Sequence, residues 1–112
     1  MTPIATRALK IRNGAADIVV PVSIFAPQQS EYGDWLCRYE IGWPEGHRIM
    51  HGAGVDAMQA LVSAMQMIGA ELYSSAYHKS GRLYWDEPGR GYGFPVPGNI
   101  RELLQGDDAT YL

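Results

Sequence analysis

Cys37 is the single cysteine of the chain, and His47, His51 and His78 are its three histidines. A thiol beside an imidazole is the smallest set here that could carry nucleophilic catalysis. The thiolate is the nucleophile, and a basic or cationic neighbour generates it. Cys37 lies in WLCRYEI, where Trp35, Cys37, Tyr39 and Ile41 alternate with Leu36, Arg38 and Glu40. That period puts the thiol on one face of a strand among large apolar side chains. A free cysteine so placed behaves as a small buried hydrophobe. No catalytic residue is assigned.

His47 and His51 would share one face if their segment were helical, as a pair of metal ligands requires. Pro44, Gly46, Gly52 and Gly54 oppose a helix there. No Glu follows His47, so the helical metalloprotease pattern is missing. One cysteine also removes the zinc patterns built on cysteine pairs. His47 to Gly54 is therefore read as an irregular loop with surface histidines, and neither a metal nor a cofactor is expected. Asp86-Glu87 and Asp107-Asp108 are adjacent carboxylates. Neighbours in a strand point to opposite faces, and in loops they are solvated, so neither is read as an acid–base pair.

The segment WDEPGRGYGFPVPG, Trp85 to Gly98, poses the sharpest chemical question. Gly89-Arg90-Gly91-Tyr92-Gly93 has the look of a phosphate cradle. Such a loop leads its backbone N–H groups into a helix N-terminus and, for nucleotides, carries a Lys followed by Ser or Thr. No Lys, Ser or Thr lies in this segment, Asp86 and Glu87 precede the glycines, and Pro95 and Pro97 follow them. The dinucleotide fingerprint is also broken, because Gly93 arrives one residue early. The glycines are read as turns, with Tyr92 and Phe94 anchoring the segment against the edge of the core.

The elements that must position these residues follow from hydrophobic period. The chain has 112 residues, 46% of them apolar, which suits one globular domain over 1–112. Charged residues make up 19%, with nine basic against twelve acidic side chains and a net charge of −3. That balance speaks against a nucleic-acid partner, which needs clustered positive charge. No apolar run is long enough to span a bilayer, so no membrane is expected. The single cysteine points to a reducing compartment, and MTPIATRALKIRNG lacks the apolar core of a signal peptide, so a cytoplasmic location is expected.

Leu9 and Ile11 alternate with Lys10 and Arg12, which predicts a strand up to a turn at Asn13-Gly14. Ile18 to Phe25 is a second strand, and Pro21 predicts that it is an edge or carries a bulge. Pro27 to Gly33 reads as a loop, and Asp34 to Trp43 as a third strand. Val55, Met58, Leu61, Val62, Met65, Ile68 and Leu72 recur at helical spacing. They predict a helix from Val55 to Tyr73 with that stripe on the core, and with Asp56, Gln59, Ser63, Gln66 and Tyr73 opposite. Arg82 to Trp85 is a short strand, and Asn99 caps a last helix over Ile100 to Gln105. The expected fold is α+β. A mostly antiparallel sheet in β-β-β-α-β order carries one long helix on one face and a short C-terminal helix.

Three blocks, WLCRYEIGWP, GVDAMQAL and YGFP, resemble those of a family of small uncharacterised bacterial proteins, a domain of unknown function. The resemblance runs from about Asp34 onward and implies a bacterial protein, with no activity, ligand or site residue to transfer. The residues themselves favour a non-enzymatic protein-interaction module. Charge is low, aromatics are abundant and no catalytic set is complete. The partner would be another protein, a copy of itself included. Trp43 and Tyr92 flank loops, where aromatic side chains stay accessible, and Gln59 and Gln66 mark the polar face of the helix. These four are the candidate partner contacts. The alternative is a small enzyme or ligand-binding protein with a pocket near Cys37 and the His47–Gly54 loop.

Overall fold

The computed structural model describes residues 1–112. The strands are β1 (Ala5–Ile11), β2 (Ile18–Ile24), β3 (Gln28–Gln29), β4 (Trp35–Trp43), β5 (Gly46–Gly54) and β6 (Leu83–Tyr84). Between the last two come α1 (Ala57–Ser74) and the short α2 (Ala76–Lys79). A 3₁₀ turn, Gly98–Leu103, and α3 (Asp107–Tyr111) complete the chain. The six strands form one antiparallel sheet. Here β1 pairs with β2 and β6, while β4 pairs with β2, β3 and β5. The expected α+β class, with a long helix on the sheet and a short C-terminal helix, is what the chain adopts.

The inward residues alternate as the sequence predicts. Leu9 and Ile11 of β1, Val20 and Val22 of β2, and Cys37, Tyr39 and Ile41 of β4 are all buried beneath α1. Val19 and Pro21 alternate with them and stay exposed on the other face. Pro21 does not mark an edge. β2 lies inside the sheet, between β1 and β4, but its ladder with β4 spans only Val22 to Ile24. Pro21 sits just outside that ladder, where no N–H is required, and its ring packs on Gly42.

The segment His47 to Gly54 is a strand, not a loop. It runs with β4 in nine consecutive pairs from Trp43 opposite Gly46 to Trp35 opposite Gly54. Its glycines have a packing purpose. A methyl on Gly52 would overlap the backbone of Ala64, and one on Gly54 the backbone of Ala60. Helix α1 therefore rests almost backbone to backbone on β5, which explains why small residues face each other there.

That contact also sets which side of α1 is buried. The seated row is Ala60, Ala64, Ile68 and Leu72, at four-residue spacing. The expected stripe is only partly inside, since Met58 is 70% exposed and Val62 is 46% exposed. Tyr73, expected on the wet face, is buried, because the chain after β6 folds over that flank. Gly69 allows a second close approach, to the segment after β6: a methyl there would strike the carbonyl of Pro95. Asp56 caps α1 by accepting from the Gln59 N–H at 2.8 Å, and the Gln59 side chain accepts from the Val55 N–H at 2.7 Å. The last helical signal falls in two places. Asn99 lies within the 3₁₀ turn without capping it, and the true C-terminal helix, α3, begins at Asp107.

Candidate functional site

The buried polar chemistry of the molecule gathers where the glycine segment meets α1 and α3. Asp108 is the one buried charged side chain, 2% exposed. Its Oδ2 accepts from the Tyr92 N–H at 2.8 Å and from the Tyr73 hydroxyl at 2.6 Å, and its Oδ1 accepts from the Gly93 N–H at 2.8 Å. Gly91 and Gly93, at φ 91° and 75°, turn consecutive N–H groups toward one point. This is the geometry by which glycine-rich turns hold anions. The cradle that GRGYG suggests therefore exists, and the chain's own carboxylate fills it. Asp107-Asp108 is thus not a solvated pair. Asp107 meets Arg90 at the surface across 2.9 Å, while Asp108 turns inward.

Around Asp108 stand three rings. Tyr73 and Tyr92 lie 5.0 Å apart between centroids, and His78 packs edge-on at 4.8 Å from Tyr73 and 5.5 Å from Tyr92. The Tyr92 hydroxyl and His78 Nδ1 share a hydrogen bond. Burial, reinforced by Asp108, pushes both phenols far above their ordinary range. Burial also lowers the His78 imidazole. The carboxylate with its three donors, and the rings packed around it, clasp the three segments together. Arg7 closes its other side. Its Nη1 donates to the carbonyls of Tyr92 at 3.2 Å and Gly93 at 3.1 Å, and its guanidinium lies 3.8 Å from the Trp85 ring centroid.

The remaining sequence candidates separate. Tyr92 is 1% exposed and offers nothing to a partner, because it is the pivot of the clasp. Trp43 is half-buried at the end of β4 and stacks on Tyr77 at 5.4 Å. Gln59 is exposed and packs against Gly54 of β5, with its carbonyl oxygen engaged in the helix cap. Gln66 is half-buried, two turns further along α1. Cys37 is fully buried, its thiol donates to the Phe25 carbonyl at 3.3 Å, and burial raises its pKa. It lines no cavity; a cavity of about 270 Å³ does form beside it, lined by its neighbours Leu36 and Arg38 and by His51, and the strand β5 occupies the place of the expected loop. His47 and His51 both lie on β5, opposite Gly42 and Arg38, and no three His, Cys, Asp or Glu side chains gather as a metal-holding group.

One surface element was missed altogether, the outer edge of β5. It has no strand beyond it. GHRIMHGAG carries neither Pro nor Lys, its register with β4 has no bulge, and its one Arg, Arg48, turns onto α1 to meet Glu71 at 2.8 Å. Those are the devices that normally protect a sheet edge. No helix is long and apolar enough to cross a membrane.

Among known proteins, residues 5–96 match the family described as Domain of unknown function (DUF6968). No curated protein and no solved structure matches the chain. The matched stretch holds the whole sheet, α1 and the glycine cradle, while Asp108, which fills the cradle, lies beyond it. The match reaches further toward the N-terminus than the three resembling blocks and covers most of the chain, which therefore belongs to this family of unknown function.

Proposed function

We propose that the protein is a non-enzymatic interaction module that pairs strands through the outer edge of β5. The observation that carries this reading is the unprotected nine-residue edge. An extended partner gains main-chain hydrogen bonds along such an edge, and side chains at alternate positions supply selectivity. Two of the sequence candidates flank the ends of β5, and a third follows on α1. Trp43 stands at the β4–β5 turn, opposite Gly46. Gln59 abuts Gly54 at the other end, and Gln66 continues the same polar flank of α1. The partner is another protein, with a second copy of this chain as the first occupant to test.

Light scattering over a rising concentration series tests it. The chain should self-associate, and Ile49→Lys, at an exposed position in the middle of β5, should shift it to monomer without loss of stability. A chain that stays monomeric at every concentration removes the self-pairing reading.

A further inference from the structure

Helix α1 leaves an apolar flank unburied on the side away from β5. Leu61 and Met65 form one wall of a groove of about 290 Å³. Val22 and Ile24 of β2, with Ile4 before β1, form the other, and Phe94 closes one end. Met58 and Val62 continue the apolar flank beside Leu61, and Ile4 is 56% exposed. Arg7 is the only ionisable side chain in the lining. Its Nη1 is held by two carbonyls, whereas its Nε and Nη2 make no hydrogen bond within the chain. It is also absent from all four ion pairs of the molecule. The carboxylate that acts on it, Asp108, is already engaged by three donors of its own.

We propose that this groove binds a small apolar carboxylate, with the hydrocarbon body between α1 and β2 and the carboxylate on the free side of the Arg7 guanidinium. The reasoning joins two independent features. Binding sites for small molecules are concave and mostly apolar, with few polar groups that fix orientation. The groove is at the small end of that class, so the ligand is a short or medium-length acid rather than a long lipid chain. A guanidinium between aromatic rings presents its remaining donors as a planar fork, which matches a carboxylate. Methionines at the wall suit an unbranched or irregular hydrocarbon. This site is separate from the β5 edge, and either can fail without the other.

The test uses the full chain, isotope-labelled, titrated with decanoate, with 1-decanol and with decyltrimethylammonium below their aggregation limits. Decanoate should saturate one site, with amide shifts at Ile24, Leu61, Met65 and Phe94. It should bind about tenfold or more tightly than 1-decanol, because the alcohol cannot make the charge-assisted bond. The cation should not saturate the site. Arg7→Gln should erase the preference for the acid over the alcohol. Because Arg7 also braces the glycine segment, Leu61→Glu serves as a second variant. It places a carboxylate at a half-exposed wall position and should abolish decanoate binding in a folded chain. Absence of saturation, equal affinity for acid and alcohol, or shifts centred on β5 would each overturn the proposal. So would shifts at the groove residues that follow protein concentration alone, since a second copy would then be the occupant.

Discussion

Tyr73 and Asp108, 35 residues apart in the chain, are joined by a buried hydrogen bond of 2.6 Å. The bond ties the end of α1 to α3, and the same carboxylate oxygen takes the N–H of Tyr92 between them. Three segments thus meet on one side chain. A buried charge is tolerable only when its lone pairs are met in this way.

Asp108→Ala should therefore lower stability by about 3 kcal/mol, because it leaves three donors without their acceptor in a buried site. Urea unfolding measures it. Acetate should raise the midpoint of this variant more than that of the parent, since the vacated cradle would hold a free carboxylate. The parent chain should show no saturable binding of phosphate or nucleotide at Gly89 to Gly93. An equal response of variant and parent to acetate would show that the N–H groups do not form an anion site.

The seating of α1 on β5 makes a second set of expectations. Ile68→Ala, at a fully buried position, should cost about 3 kcal/mol. Met58→Ala, at an exposed one, should stay within about 0.5 kcal/mol. Gly52→Ala should cost about 2 kcal/mol or more, because the added methyl forces strand and helix apart. Denaturant midpoints at constant slope compare the three. A larger loss for Met58→Ala than for Ile68→Ala would place the wrong side of the helix in the core.

Cys37 should be silent toward a thiol reagent in the folded chain. It is fully buried, and burial disfavours the thiolate that would react. Reaction with an aromatic disulfide should proceed only at the rate of unfolding and become immediate in denaturant. Rapid labelling under native conditions would mean that β4 opens far more readily than its packing implies.

His78 sets a pH dependence with a definite sign. Burial lowers its pKa in the folded chain from an ordinary value of 6.5. The unfolded chain therefore binds the proton more readily than the folded one, and stability rises with pH across that interval. Stability should fall as pH drops below the unfolded value of 6.5 toward the depressed folded one. His78→Gln should flatten that slope, which thermal melts at several pH values would record. A slope unchanged by the substitution would assign the dependence to other groups.

What the sequence made legible follows the strength of its periods. β1, β2 and β4 bury β-branched and aromatic residues at every second position, and α1 carries a helical stripe, so their positions are readable. β5 escaped because its inward positions are Arg48, Met50, Gly52 and Gly54. Two of those are glycines, which read as loop when the helix they receive is not yet placed. The same contact hid the true face of α1. Ala60 and Ala64 score weakly as core residues, yet only small side chains fit above the glycines, while Met58 and Val62 score strongly and lie outside. At the clasp, the glycines read as turns, and the anion that their N–H groups hold runs against that reading. The anion itself was unreadable, because nothing local marks one of two adjacent aspartates as the side chain that turns inward.

The contact between Arg7 and Gly93 spans 86 residues of sequence, and it also bears on how the chain assembles. Hairpins β1–β2 and β4–β5 close over short loops and can form early, whereas the brace waits until β6 has joined β1. The glycine segment is thus expected to lock last. Bonds formed that late should lie on the unfolding side of the kinetic barrier, so Arg7→Gln is expected to shorten the lifetime of the native state while leaving the speed of folding almost untouched, as folding and unfolding rates would record.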